Sequence, residues 1–154
     1  MSASLPEGFG YFPERLDRAA QAALLDAVLG AIEAADAPFH HGTMPRTGAP
    51  LSVAMTNLGP LGWVTDKEGG YRYQATHPES GRPWPDIPDS LLNLWAKLAD
   101  YPHPPEACLI NYYGGAAKMG LHQDRDEEDF AAPVISISLG DTAIFRIGAT
   151  TRKG

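Results

Sequence analysis

The residues Lys118-Met119-Gly120-Leu121-His122-Gln123-Asp124 put an imidazole and a carboxylate two positions apart. In extended chain such residues project to the same side, with Cα atoms ~7 Å apart at a rise of about 3.3 Å per residue. His122 and Asp124 can therefore converge on one cation. A neutral nitrogen beside a hard carboxylate oxygen suits Fe(II), and the facial triad of two histidines and one carboxylate leaves positions open for substrate and oxygen. The bland alternative is a surface loop with a stray histidine in an acidic patch, since Asp126, Glu127, Glu128 and Asp129 follow. A second pair, Asn111 and Tyr113, is also two apart. It sets an amide and a phenol on one face of a strand, with Ile110 and Tyr112 on the other. Such a polar pair can bind a small carboxylate ligand, or can be ordinary strand residues with satisfied hydrogen bonds.

The elements that must carry these groups are readable in outline. Gly8 to Phe12 reads as a short strand or extended entry. Asp17 is an expected N-cap, its carboxylate accepting from free N–H groups of the first turn. From there to about Ala35, apolar residues at Ala20, Leu24, Val28, Ile32 and Ala35 form a helical stripe, ended by Pro38. Leu51 to Thr56 reads as a strand, Gly59-Pro60-Leu61-Gly62 as a turn and Tyr71 to Tyr73 as a second strand. Pro78, Pro83, Pro85 and Pro88, with Trp84 among them, make a rigid extended connection. A second helix is expected over roughly Asp89 to Asp100, with Leu91, Leu94, Trp95 and Leu98 on one face. Three β-rich runs follow: Cys108–Tyr113, Val134–Leu139 and Ala143–Ile147. Helices first and strands afterwards give an α+β class, and short, evenly punctuated strands suggest a sandwich or jelly roll.

Composition bounds the rest. The 154 residues make one domain, able to bury a core without staples. With 44% hydrophobic and 20% charged residues, disordered and fibrous classes are excluded. The 16 glycines and 14 prolines favour turns and short strands over a helix bundle. Cys108 is the single cysteine, so no intramolecular disulfide forms, which fits a reducing cytosol and a cytoplasmic location. No apolar run approaches the ~20 residues of a membrane helix, and the N-terminus has no signal-peptide pattern. A net charge of −7 argues against broad, non-specific gripping of a nucleic-acid backbone, while leaving room for a local basic groove.

The ordered blocks Leu51-Ser52-Val53-Ala54-Met55-Thr56-Asn57, Leu61-Gly62-Trp63, Pro83-Trp84-Pro85, Ala107 to Asn111 with Tyr113, Leu121 to Asp124 with Asp126-Glu127, and Val134 with Ser136 to Gly140 resemble the AlkB family. Its members are Fe(II)- and 2-oxoglutarate-dependent dioxygenases that repair alkylated bases in DNA and RNA, and the resemblance runs from about Gly8 to the end. It implies a double-stranded β-helix (jelly roll) with the N-terminal helices packed on the sheet. By the same likeness, His122 and Asp124 match two iron ligands, and Asn111 and Tyr113 match residues that hydrogen-bond 2-oxoglutarate. Trp63 falls where the family stacks an aromatic ring on the flipped base. Met55, Tyr71 and Asp126 match positions lining or reading the base pocket, and Lys118 is placed to face phosphate. The implied reaction uses O2 to hydroxylate an N-linked methyl of 1-methyladenine or 3-methylcytosine, releasing formaldehyde. A flat base held between flat faces agrees with what base-directed enzymes require. A monomer with no membrane attachment is expected.

The chain also departs from the family pattern. No histidine follows His122, so the distal third ligand is missing, as are the two distal arginines; Arg152 matches an earlier position of the pattern. Of the upstream histidines, His40 and His41 are expected at the end of a helix and His77 and His103 in proline-rich connections, so none of them is expected to replace it. The expectation is therefore an incomplete AlkB-like domain over residues 1–154, lacking the C-terminal strands. Two further readings stay open beside demethylation: an oxygenase of the same fold acting on protein or small molecule, and a non-catalytic remnant.

Overall fold

The structure, a computed structural model, describes residues 5–148. Arg152, singled out above, lies outside them. Six elements follow one another: α1 (Arg18–Ala34), β1 (Ala54–Leu58), β2 (Gly62–Asp66), β3 (Gly70–Gln74), α2 (Asp89–Leu98) and β4 (Cys108–Tyr112).

Helix α1 begins as its sequence predicts. Asp17 has extended backbone, and its Oδ1 accepts from the Ala20 N–H at 2.8 Å. Leu24, Val28 and Ile32, four apart, are its buried stripe. The helix stops where Asp36 turns to a φ of +51°, two residues before Pro38. Helix α2 lacks a side-chain cap, but Asp89 in its first turn and Lys97 in its last suit the helix dipole. It ends two residues before the expected Asp100.

Strand β4 runs antiparallel to β1, with Met55 opposite Asn111 and Thr56 opposite Ile110. Strands β2 and β3 form an antiparallel hairpin, with Trp63 opposite Tyr73 and Thr65 opposite Tyr71. The α+β class is thus present, with two two-stranded antiparallel sheets. The main core lies between the helices and the β1–β4 pair: Leu24, Val28, Ile32, Leu58 and Ile87, with Cys108 and Ile110 packed against it. Burial pushes the Cys108 thiol up to about 11, so it is a small hydrophobe and not a nucleophile at neutral pH. A second cluster joins Ala37, Val64 and Trp84. Gly62 lies flat against Trp84, whose indole would collide with any Cβ there. The Trp84 N–H donates to the Gln74 carbonyl at 2.8 Å, tying the proline-rich connection to β3.

Three expectations need correction. The strand expected from Leu51 begins at Ala54, because Leu51 and Ser52 bond elsewhere: the Leu51 N–H to the Gly42 carbonyl and the Ser52 hydroxyl to residue 118. Strand β2 is absent from the sequence reading; its Gly62 and Asp66 are poor strand formers that mask the run. Val134–Leu139 and Ala143–Ile147 join no ladder among the described residues. A strand needs a neighbour for its N–H and C=O groups, and composition alone does not supply one. Ile137 and Leu139 still pack against the main core, whereas Val134, Ile144 and Phe145 are exposed.

Candidate active site

The segment carrying His122 and Asp124 lies outside any helix or strand. His122 Nδ1 donates to the Gly120 carbonyl at 2.8 Å, which leaves Nε2 as the ring's outward nitrogen. Nε2 stands 3.3 Å from Asp124 Oδ1. Two donors on one ion at right angles, with bonds of about 2.1 Å, would be roughly 3 Å apart. The pair therefore fits a shared metal ion. Both side chains are more than half exposed, at 53% and 64%, so ion and ligands can reach them.

The described residues contain no group of three or more His, Cys, Asp or Glu able to hold a metal. The other histidines are engaged differently. His77 Nε2 donates to the Pro38 carbonyl at 2.8 Å, and its Nδ1 accepts from the N–H groups of Glu79 and Ser80. His40 sits edge-on to it at 4.8 Å, in a β-bridge with Met55 and not at the helix end. Burial, and then the neighbouring His77, hold the His40 ring below its ordinary pKa, and its Nδ1 has no partner. His41 Nδ1 meets the Leu51 carbonyl at 2.8 Å, and His103 packs edge-on against Tyr101.

Asn111 and Tyr113 are placed by β4 and its end. Ile110 faces the core and Tyr112 tilts against Phe39, so Asn111 takes the other face, opposite the buried Met55. Its Oδ1 is buried without a hydrogen-bond partner. An orphaned amide oxygen costs about 1–3 kcal/mol, a cost that a bound donor would relieve. The Tyr113 hydroxyl reaches toward Met119 Sδ at 3.9 Å, which joins it to the segment entering His122. No hydrogen bond links Asn111 to the His122–Asp124 pair among the described residues.

The aromatic residues assemble on the β2–β3 hairpin. Trp63 stacks on Tyr71, its diagonal neighbour across the strands, at 5.6 Å and 20°. The Trp63 indole N–H donates to Asp126 Oδ2 at 3.1 Å. Trp63 and Tyr71 are thus joined to Asp126, which lies two residues from Asp124 and four from His122. The acidic run is a solvent-exposed loop, as the bland alternative has it, yet two of its carboxylates are held: the Tyr73 hydroxyl donates to Glu127 at 2.6 Å and the Tyr101 hydroxyl to Asp129 at 2.6 Å. The Tyr101 bond raises that phenol's pKa and lowers that of the Asp129 carboxyl. Upstream, the Ser52 hydroxyl accepts from the Lys118 N–H and donates to the Lys118 carbonyl, while the Lys118 ammonium stays exposed. Ser52, Tyr73 and Tyr101 escaped the sequence reading as site residues. Tyr73 had a signal, since it shares Tyr71's face at a spacing of two.

The model of the 2OG-Fe(II) oxygenase superfamily matches residues 8–154. The chain is similar to the alpha-ketoglutarate-dependent dioxygenase AlkB homolog of Caulobacter vibrioides, 56% identical over 146 residues, covering 95% of this chain and 64% of the relative. The alpha-ketoglutarate-dependent dioxygenase AlkB of Escherichia coli is 47% identical over 124 residues, covering 78% of this chain and 56% of the relative. The tRNA demethylase abh1 of Schizosaccharomyces pombe is 33% identical over 111 residues, 68% of this chain and 36% of that one. The chain therefore spans less than two thirds of the length of these curated relatives.

Proposed function

The chain belongs to the AlkB members of the 2OG-Fe(II) oxygenase superfamily, and from that premise we propose that it serves the oxidative demethylation of alkylated bases, 1-methyladenine and 3-methylcytosine, in DNA or RNA. His122 Nε2 and Asp124 would hold Fe(II), while Asn111 and Tyr113 would bind 2-oxoglutarate. With O2, that centre supplies the oxidising power that hydroxylates an N-linked methyl and releases formaldehyde. The chain's own residues do the positioning. Trp63, backed by Tyr71, offers a flat face for a base taken out of its stack. Asp126 reads the base edge, Met55 lines the floor below Asn111, and Lys118 meets a phosphate. The two small sheets, with the β-rich runs after residue 133, are read as parts of a jelly roll. A cytoplasmic monomer completes the reading, supported by the free Cys108 and by a platform that needs no second copy.

One observation carries the proposal. The Trp63–Asp126 hydrogen bond fastens the aromatic platform two residues from a metal-binding carboxylate. The test is incubation with Fe(II), 2-oxoglutarate, ascorbate and an oligonucleotide bearing 1-methyladenine. Succinate and formaldehyde should appear in equal amounts, and Trp63→Ala should lower both. Full activity in Trp63→Ala would shift the substrate to a protein or small molecule. A second reading, metal binding without turnover, is favoured by the absence of a third ligand among the described residues. Metal bound without succinate released would decide for it.

A further inference from the structure

Among the described residues, the loop bearing the proposed metal pair has no ladder to hold it. Between residues 113 and 133 the backbone–backbone bonds are local turns, Ala117 to Gly114 and Ala132 to Asp129. Side chains from other elements must fix its place. Four contacts do so: Ser52 at residue 118, Trp63 at Asp126, Tyr73 at Glu127 and Tyr101 at Asp129. These four are not equivalent. Ser52 grips before the pair, and Tyr101 grips five residues after Asp124. The Trp63–Asp126 bond involves both groups that would meet the base, so substrate can compete with it. Tyr73 bonds Glu127, three residues from Asp124, at 2.6 Å, and neither partner is given to base or metal. A phenol donating to an ionised carboxylate at that length is a strong, charge-assisted bond.

We propose that Tyr73, acting through Glu127, is a positioning residue for the metal pair, holding Asp124 beside the Trp63 platform whether or not a base occupies it. Tyr73 suits the task. It lies directly opposite Trp63 on the hairpin, so the same two strands set the platform and the latch. Burial, and then the bond to Glu127, push its hydroxyl pKa far up, so it stays a donor throughout the working range. Arg72, between the two tyrosines, bonds Asp66 and Gln74, which braces the hairpin independently of the loop. The inference rests on the reading of His122 and Asp124 as a metal pair.

The test is Co(II) titration of the full chain, followed by absorption, on wild type, Tyr73→Phe, Glu127→Ala, Glu127→Gln, the double variant Tyr73→Phe/Glu127→Ala, and His122→Ala. Residues that orient metal ligands typically cost about 10–100-fold in metal affinity when removed. Tyr73→Phe and Glu127→Ala should each weaken Co(II) binding on the order of 10-fold. The double variant should be no weaker than either single one, because both break one bond. Glu127→Gln keeps a carbonyl acceptor and should stay near wild type. Glu127 is exposed, so its variants carry the test if Tyr73→Phe folds poorly. Wild-type affinity in Tyr73→Phe or Glu127→Ala, or additive losses in the double variant, would overturn the positioning role while leaving the metal pair standing. Wild-type affinity in His122→Ala would remove the metal pair, and the latch with it.

Discussion

His122 and His40 show how far one residue type depends on its surroundings. His122 is exposed, with Nδ1 given to a backbone carbonyl and Nε2 beside a carboxylate. His40 is 8% exposed and lacks a partner at Nδ1. The spacing of His122 and Asp124 was legible because a period of two is local geometry. The packing of His40 against His77 was not, because it joins loops 37 residues apart in sequence. The consequence is a pH dependence. His40 has its folded pKa below 6.5, so below that pH the unfolded chain binds a proton that the folded chain refuses. Its contribution is therefore intact above about pH 6.5 and is lost on acidification through the folded value. The groups facing it are His77, His41 and Glu79. Urea midpoints should fall below pH 6.5 in wild type and fall less in His40→Gln. An unchanged slope in the variant would assign the acid sensitivity elsewhere.

Among the elements, those with strong local signals were readable: α1 from Asp17 and its stripe, β4 from the run Cys108–Tyr113, one residue longer than the strand, and α2 from Leu91 and its neighbours. Strand β2 was hidden because Gly62 contradicts strand propensity, and its reason is tertiary. The indole of Trp84, 22 residues on, occupies the space a side chain would need. Gly62→Ala should therefore destabilise the fold by about 1–3 kcal/mol through overpacking, read from urea unfolding. The loss should shrink when Trp84 is also made smaller, and an independent effect at the two positions would show that the contact is not the cause. The runs after residue 133 failed in the opposite direction. Their β propensity is genuine, but among the described residues they have no ladder, and only Ile137 and Leu139 gain burial against the core. Propensity predicts what a segment tolerates and leaves its partner open.

At the scale of the whole molecule, a chain of net charge −7 is proposed to act on a polyanion. On the proposed function the reconciliation would lie in the site: the aromatic platform would take the base, and electrostatic grip would be local, at Lys118. Binding of a single-stranded methylated oligonucleotide should therefore show a shallow salt dependence. Lys118→Ala should reduce the slope of log K against log salt by about 0.7, the value for one phosphate contact on a single strand. A steep slope unmoved by Lys118→Ala would place the strand on another surface.

The platform and the latch both matter only if one ion sits between His122 and Asp124. The most direct measurement is a Mn(II) titration of the full chain followed by NMR, reading which residues the bound paramagnetic ion broadens first. Broadening centred on His122 and Asp124, with Asn111 and Met55 affected next once 2-oxoglutarate is added, is the predicted result. Broadening centred on Glu127 to Asp129, with the His122 ring still sharp, would contradict it.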